Sequence, residues 1–330
     1  MKKLYVIGNG FDLYHGLNTR YQTFAIYLAE NNREIYDLLN TYYGLPDITN
    51  PNLTDDEYGQ WSRFEEALAD LDYLGVLEDN SDLIANPASD DFRDRDWHSY
   101  QIEMELIIKQ LTLELKADFN KFIMNVTYAE DLSDIELLDI SKDSIFLNFN
   151  YTESLEKYYD IDSGLIKYIH HKADSVNVNI ILGHGTNPAD FTEPEETPPE
   201  GLTPEELDEW NERKGDEYDF SYDMAKQEIL GYYFQSFKDT QSIIRDNIDF
   251  FASLKQVEQV YVLGHSISHV DMEYFVKLLS SVPSNIEWVV TYYSEREREA
   301  HLETLLGLGI ISHNIRQIKM TDLIMAKKVV

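Results

Sequence analysis

The sequence contains no cysteine. That excludes disulfides, thiolate zinc sites, thiol nucleophiles and iron–sulfur clusters, and it leaves the chain compatible with a reducing compartment. Basic charge is also scarce: 27 Lys and Arg stand against 61 Asp and Glu, a formal net charge of −34. So acidic a surface repels phosphate backbones and anionic lipid, so neither nucleic acid nor a membrane is an expected partner. Long apolar runs are missing too, and no stretch approaches the length of a transmembrane helix. The apolar run after Met1-Lys2-Lys3 is too short for a signal peptide and breaks at glycine. A soluble cytoplasmic protein is the expectation.

At 330 residues the chain can hold one large α/β domain with insertions, or two domains. Its first stretch, Lys3-Leu4-Tyr5-Val6-Ile7, reads as a buried parallel strand and ends in Gly8-Asn9-Gly10-Phe11-Asp12. Gly8 and Gly10 would let the backbone approach a phosphate or ribose, with Asp12 at the mouth of the turn. The dinucleotide fingerprint is incomplete, because Gly16 comes too late to be its third glycine. Further strands are predicted at 144–150, 165–170, 178–183, 259–264, 286–292 and 315–318. Helices are predicted from Thr19, as a cap, onward, and over 33–45, 55–74, 98–125, 153–159, 223–255, 271–279 and 295–306. No strand is read between 20 and 140, so that stretch is expected as a helical insertion or cap. The acidic, proline-rich stretch 187–222 reads as a lid or an arm for oligomer contact, and Thr203-Pro204-Glu205-Glu206 within it is a helix start. Alternating strands and helices predict one α/β domain over 1–330, with a doubly wound, mostly parallel Rossmann-type sheet.

The predicted strands end in polar or glycine-rich tips. They are Gly8-Asn9-Gly10, Asn148-Phe149-Asn150-Tyr151-Thr152, His170-His171, Gly183-His184-Gly185 and Gly264-His265-Ser266-Ile267-Ser268. In an open parallel sheet all carboxyl ends share one edge, where ligands bind. Each tip has a plainer explanation. Asn148 and Asn150 could cap the following helix, and the histidines could be core or surface residues. A zinc site on His170, His171, His184 and His265 lacks helical spacing and thiolates, so no metal is expected. Ser266 lacks the second glycine of a nucleophile elbow. An ordinary oxidoreductase would need an acid about twenty residues past the glycine turn, and Glu30 falls in a predicted helix.

Several stretches carry a family resemblance: Ile7-Gly8-Asn9-Gly10-Phe11-Asp12-Leu13, Leu17-Asn18-Thr19-Arg20-Tyr21, Trp61-Ser62-Arg63-Phe64-Glu65, the run from Leu147 to Glu156, Ile169-His170 and the run from Gly264 to Asp271. Spread in order over nearly the whole chain, they resemble the AbiH family of bacterial phage abortive-infection proteins. That family is in turn remotely similar to sirtuin-like NAD-binding defence proteins. The remote likeness implies a sirtuin-like sheet and an NAD glycohydrolase needing no metal. It places Asn150 and His170 as catalytic residues. Gly8, Asn9, Gly10, Phe11, Asp12, Asn148, Gly264, His265 and Ser266 fall on the nucleotide-binding side. Thr152 and His171 depart from it, standing where that motif has Asp and Gly. The departures keep a second reading open, a non-catalytic nucleotide sensor. A phage-derived trigger and a second copy of the chain remain open as partners.

Overall fold

The structure is a computed structural model and describes residues 2–192 and 197–324. Six parallel strands form one sheet: β1 (Lys3–Ile7), β2 (Ile145–Asn148), β3 (Ile166–Tyr168), β4 (Gln259–Leu263), β5 (Glu287–Tyr292) and β6 (Ile315–Lys319). Their order is β3-β2-β1-β4-β5-β6. The chain winds outward from β1 on one side and then outward from β4 on the other, so the topology reverses between these two strands. Ile7 pairs in register with Asn148 on one side and Leu263 on the other.

Alternate residues of each strand enter different cores. Leu4, Val6, Leu147, Val260, Val262 and Val290 pack with Phe251, Tyr274, Phe275 and Leu278. Tyr5, Ile7, Phe146, Tyr261, Leu263 and Val289 pack with Leu155, Tyr158 and Tyr159. Both faces are covered, which is why the central strands read as continuous apolar runs rather than alternating ones.

The chain between β1 and β2 is mainly helical, with helices Tyr21–Asn31, Arg33–Tyr42, Tyr73–Asp79, Ser99–Lys109 and Leu115–Met124. They enclose a separate core around Phe24, Tyr36, Trp61, Phe64, Tyr100 and Phe119. The long helix expected over 98–125 forms with a π-helical segment, Gln110–Glu114, inside it. The one expected over 55–74 does not run through. It shortens at Phe64–Ala67, and Asp72 starts a new helix by accepting the Gly75 N–H. The helix from Thr203 forms as read, with Thr203 and Glu206 bonding reciprocally. Residues 193–196 of the acidic stretch lie outside the described residues. The helix Phe220–Leu230 packs along Ser99–Lys109.

Two further local expectations are corrected. Residues 178–183 do not join the sheet. Ile180 and Leu182 are buried in the helical core, which gives the run its strand-like alternation, but its partners lie elsewhere. Ile181 N–H donates to the His170 carbonyl, and His184 bridges to Phe237. Thr19 does not cap the first long helix; its hydroxyl donates to Asn9 Oδ1 at 2.5 Å.

Candidate active site

At the point of reversal the turns after β1 and β4 meet backbone to backbone. Gly8 N–H donates to the Leu263 carbonyl at 3.0 Å and Gly10 N–H to that of Gly264 at 2.7 Å. A Cβ on Gly10 would stand 2.8 Å from Gly264 Cα, and one on Gly264, at φ +65°, 2.2 Å from Phe11 N. These glycines are required for two chain segments to approach, and the N–H groups of Gly8 and Gly10 are engaged within the fold. Exposed Asn9 donates from Nδ2 to the Thr19 carbonyl at 3.2 Å. Phe11 is buried against the His15 ring.

Asp12 does not stand at the mouth of the turn. It is 1% exposed, and the hydroxyls of Thr152 and Ser154 each donate to it at 2.6 Å. Burial pushes its carboxyl up to about 6, against the pull of the Ser154, Thr152 and Asn150 hydrogen bonds. It ties the β1 turn to the loop after β2. The geometry accounts for Thr152, since a second carboxylate at that position would repel Asp12 where a hydroxyl donates to it.

Asn148 and Asn150 cap no helix, and the helix Ser154–Tyr159 starts without a side-chain cap. Asn148 is fully buried; its Oδ1 accepts Asn150 N–H at 3.0 Å, and its Nδ2 has no partner among the described residues. Asn150 Nδ2 donates to the Gly8 carbonyl at 3.1 Å, drawing the β2 loop onto the β1 turn.

The histidines form the other half of the site. His170 Nε2 has no hydrogen-bond partner among the described residues and lies 3.7 Å from Asp271 Oδ1. His265 Nδ1 accepts the Ile267 N–H at 2.9 Å, so in the neutral ring the proton sits on Nε2, 3.5 Å from Asp271 Oδ2. The Phe149 ring touches both imidazoles, with centroids 5.3 Å and 4.4 Å away. Burial lowers both pKa values: His265 falls to about 4 against the opposing Asp271 charge, and His170 falls well below its usual range, helped by Lys238. Both rings are neutral near pH 7. Backbone strain accompanies them. His171 (φ 62°) and buried, β-branched Ile267 (φ 52°) are two of the three non-glycine residues in the left-handed region among those described.

Three further residues complete the cluster and were given no role from sequence. Lys238 Nζ lies 2.7 Å from Glu65 Oε2 and 3.0 Å from Asp271 Oδ1. Burial works against its charge, but the Asp271 and Glu65 carboxylates outweigh it and hold the ammonium well above its ordinary range. Tyr21 OH donates to Glu65 Oε1 at 2.5 Å. The segment after β3 fixes Lys238 in place: Lys238 N–H donates to the His184 carbonyl at 2.8 Å, and a Cβ on Gly183 would stand 2.0 Å from Ser236 O. Buried His184 donates from Nε2 to the Tyr233 carbonyl and lies apart from the other histidines' carboxylate. Glu65 and Asp271 belong to two of the motifs that carry the family resemblance, which was the available signal. Lys238 belongs to none.

Gly264 N–H donates to Thr291 Oγ1 at 2.9 Å. The Ser266 side chain is exposed, and its carbonyl accepts from His301 Nε2. Among the described residues no group of three or more His, Asp or Glu is placed to hold a metal ion. Two surface depressions, one at Trp97, His98 and Phe220 and one between Leu279 and Ile310, include none of these side chains.

A parallel sheet that reverses between β1 and β4, with polar side chains gathered at that edge, defines an α/β protein with a Rossmann-like layout. The sequence matches the family model described as bacteriophage abortive infection AbiH over residues 4–292, and the chain belongs to that family. Membership supports a role in abortive infection of phage. No curated protein and no solved structure gives a significant match. Among the described residues no helix is long and apolar enough to cross a membrane.

Proposed function

We propose that this phage-defence protein is a sirtuin-like NAD glycohydrolase that works at the edge where β1 and β4 part. The observation that carries the reading is His170: a neutral, buried imidazole whose Nε2 has no hydrogen-bond partner among the described residues and faces Asp271. A neutral ring can take a proton at pH 7, as a general base must. Asn150, its amide nitrogen tied to Gly8, holds the attacking water or a ribose hydroxyl. The C1′–N bond breaks and its electron pair leaves with the nicotinamide nitrogen, neutralising the ring. Water oxygen bonds to C1′, and the released proton passes to His170. The products are nicotinamide and ADP-ribose. Gly8, Gly10 and Gly264 support the step by letting the turns after β1 and β4 pack closely at this edge, and Asp12 by fixing the β2 loop.

The second reading, a nucleotide-binding sensor, rests on Thr152 and His171, which depart from the sirtuin-like motif. Asn148, Asn150, His170 and His265 are each 5% exposed or less, so substrate reaches them only if the edge opens. Chromatography of NAD incubated with pure protein decides between the two. The glycohydrolase reading expects nicotinamide release by wild type and at least a hundredfold loss in Asn150→Ala and His170→Ala. Equal turnover in all three would remove these roles. Tight calorimetric binding without product over hours would select the sensor.

A further inference from the structure

The ionic cluster at this edge is asymmetric. It holds the ammonium of Lys238, the carboxylates of Glu65 and Asp271, and two imidazoles that burial keeps neutral, so it carries one net negative charge. The arrangement also hides the cation. The Lys238 side chain is 0% exposed, whereas those of Glu65 and Asp271 are 18% and 14% exposed. A group entering from solvent therefore meets carboxylates, with the ammonium behind them. Aromatic rings stand around the same spot: Tyr21 holds Glu65 through its hydroxyl, and Tyr151 stacks on His170 with centroids 6.2 Å apart. An independent sign that the cluster faces a ligand is His170, 3% exposed, with Nε2 directed toward Asp271 and bonded to nothing among the described residues.

We propose that Glu65 and Asp271 make this edge selective for a cationic ring, so that it admits the pyridinium end of an oxidised nicotinamide nucleotide and disfavours the neutral ring of the reduced form. The inference rests on the nucleotide reading above and adds the residues that set its charge preference. A carboxylate pair with one ion's excess attracts a cation and gives a neutral ring no comparable gain. The phosphates of such a ligand must lie away from the cluster, because like charge repels them from it.

Calorimetric titration of the full chain with NAD+ and with NADH, at one salt concentration, tests this. Wild type is compared with Glu65→Gln and Asp271→Asn, product formation is followed by chromatography, and folding by circular dichroism. The expected result is about tenfold or greater preference of wild type for NAD+, falling to within about twofold of parity in each folded variant. Parity in wild type, or an unchanged preference in both variants while NAD+ still binds, would overturn the charge assignment and leave the nucleotide reading standing. Failure of wild type to bind either form would overturn the nucleotide reading and this inference with it. If a variant does not fold, the wild-type ratio decides.

Discussion

Single residues at this edge set a pH dependence whose sign follows from their burial. His265 and His15 both fall from 6.5 to about 4, chiefly through desolvation. Between those values the unfolded chain holds protons that the native chain excludes, so stability falls as pH drops from 6.5 toward 4. Asp12 opposes them. Its pKa rises from 3.8 to about 6, so the native chain holds a proton there that the unfolded chain lacks, and stability falls as pH rises through that window. His170, lowered by burial as well, acts with His265 and His15, and together they outweigh one carboxyl, so urea denaturation should find the protein less stable at pH 4.5 than at pH 7, by about 1.4 kcal/mol per net proton per pH unit. Asp12→Asn should steepen that acid loss, because it removes the opposing titration. A shallower acid slope in the variant would contradict the buried placement of Asp12. Gly264→Ala offers a second check. With φ at +65° and a new Cβ 2.2 Å from Phe11 N, it should cost about 3 kcal/mol or more, measured as a lowered denaturation midpoint.

Between elements, the Glu65–Lys238–Asp271 bridge joins the helical cap, the segment before β4 and the turn after it. Lys238→Met would leave two carboxylates facing each other without their counter-ion. It should cost about 3 kcal/mol, and Glu65→Gln, which leaves Lys238 paired with Asp271, should cost less. Denaturation of both variants orders them, and the reverse order would show that the bridge does not hold the cap. Little of this cluster was legible beforehand. Glu65 and Lys238 are 173 positions apart, and neither sits at a strand end, where topology directs attention. The strand tips around Gly8, Asn150, His170 and Gly264 were legible because an apolar run that stops at Gly, Asn or His marks the carboxyl edge of a parallel sheet. Residues 178–183 show the limit of that signal. Burial of Ile180 and Leu182 imitates a strand, but the hydrogen bonds run to His170 and the 236–238 segment.

For the whole molecule, a formal charge of −34 means that the native surface repels itself. The melting temperature should rise between about 0.05 and 0.5 M sodium chloride as screening shortens the reach of that repulsion. A scan showing no rise would mean that the acids are already paired locally. By itself the sequence determined the class of fold, the helical stretch between the first two strands, the family, and the polar tips at the carboxyl edge of the sheet. Those follow from local propensity, hydrophobic period and motif order. Only the tertiary structure decided what each polar residue faces. It turned Asp12 inward to two hydroxyls and closed the glycine turn after β1 against Gly264. It also brought Lys238 between two distant carboxylates. Burial and pairing across the chain are properties of packing, and a strand's pattern shows which face is covered but not which charge waits beneath it.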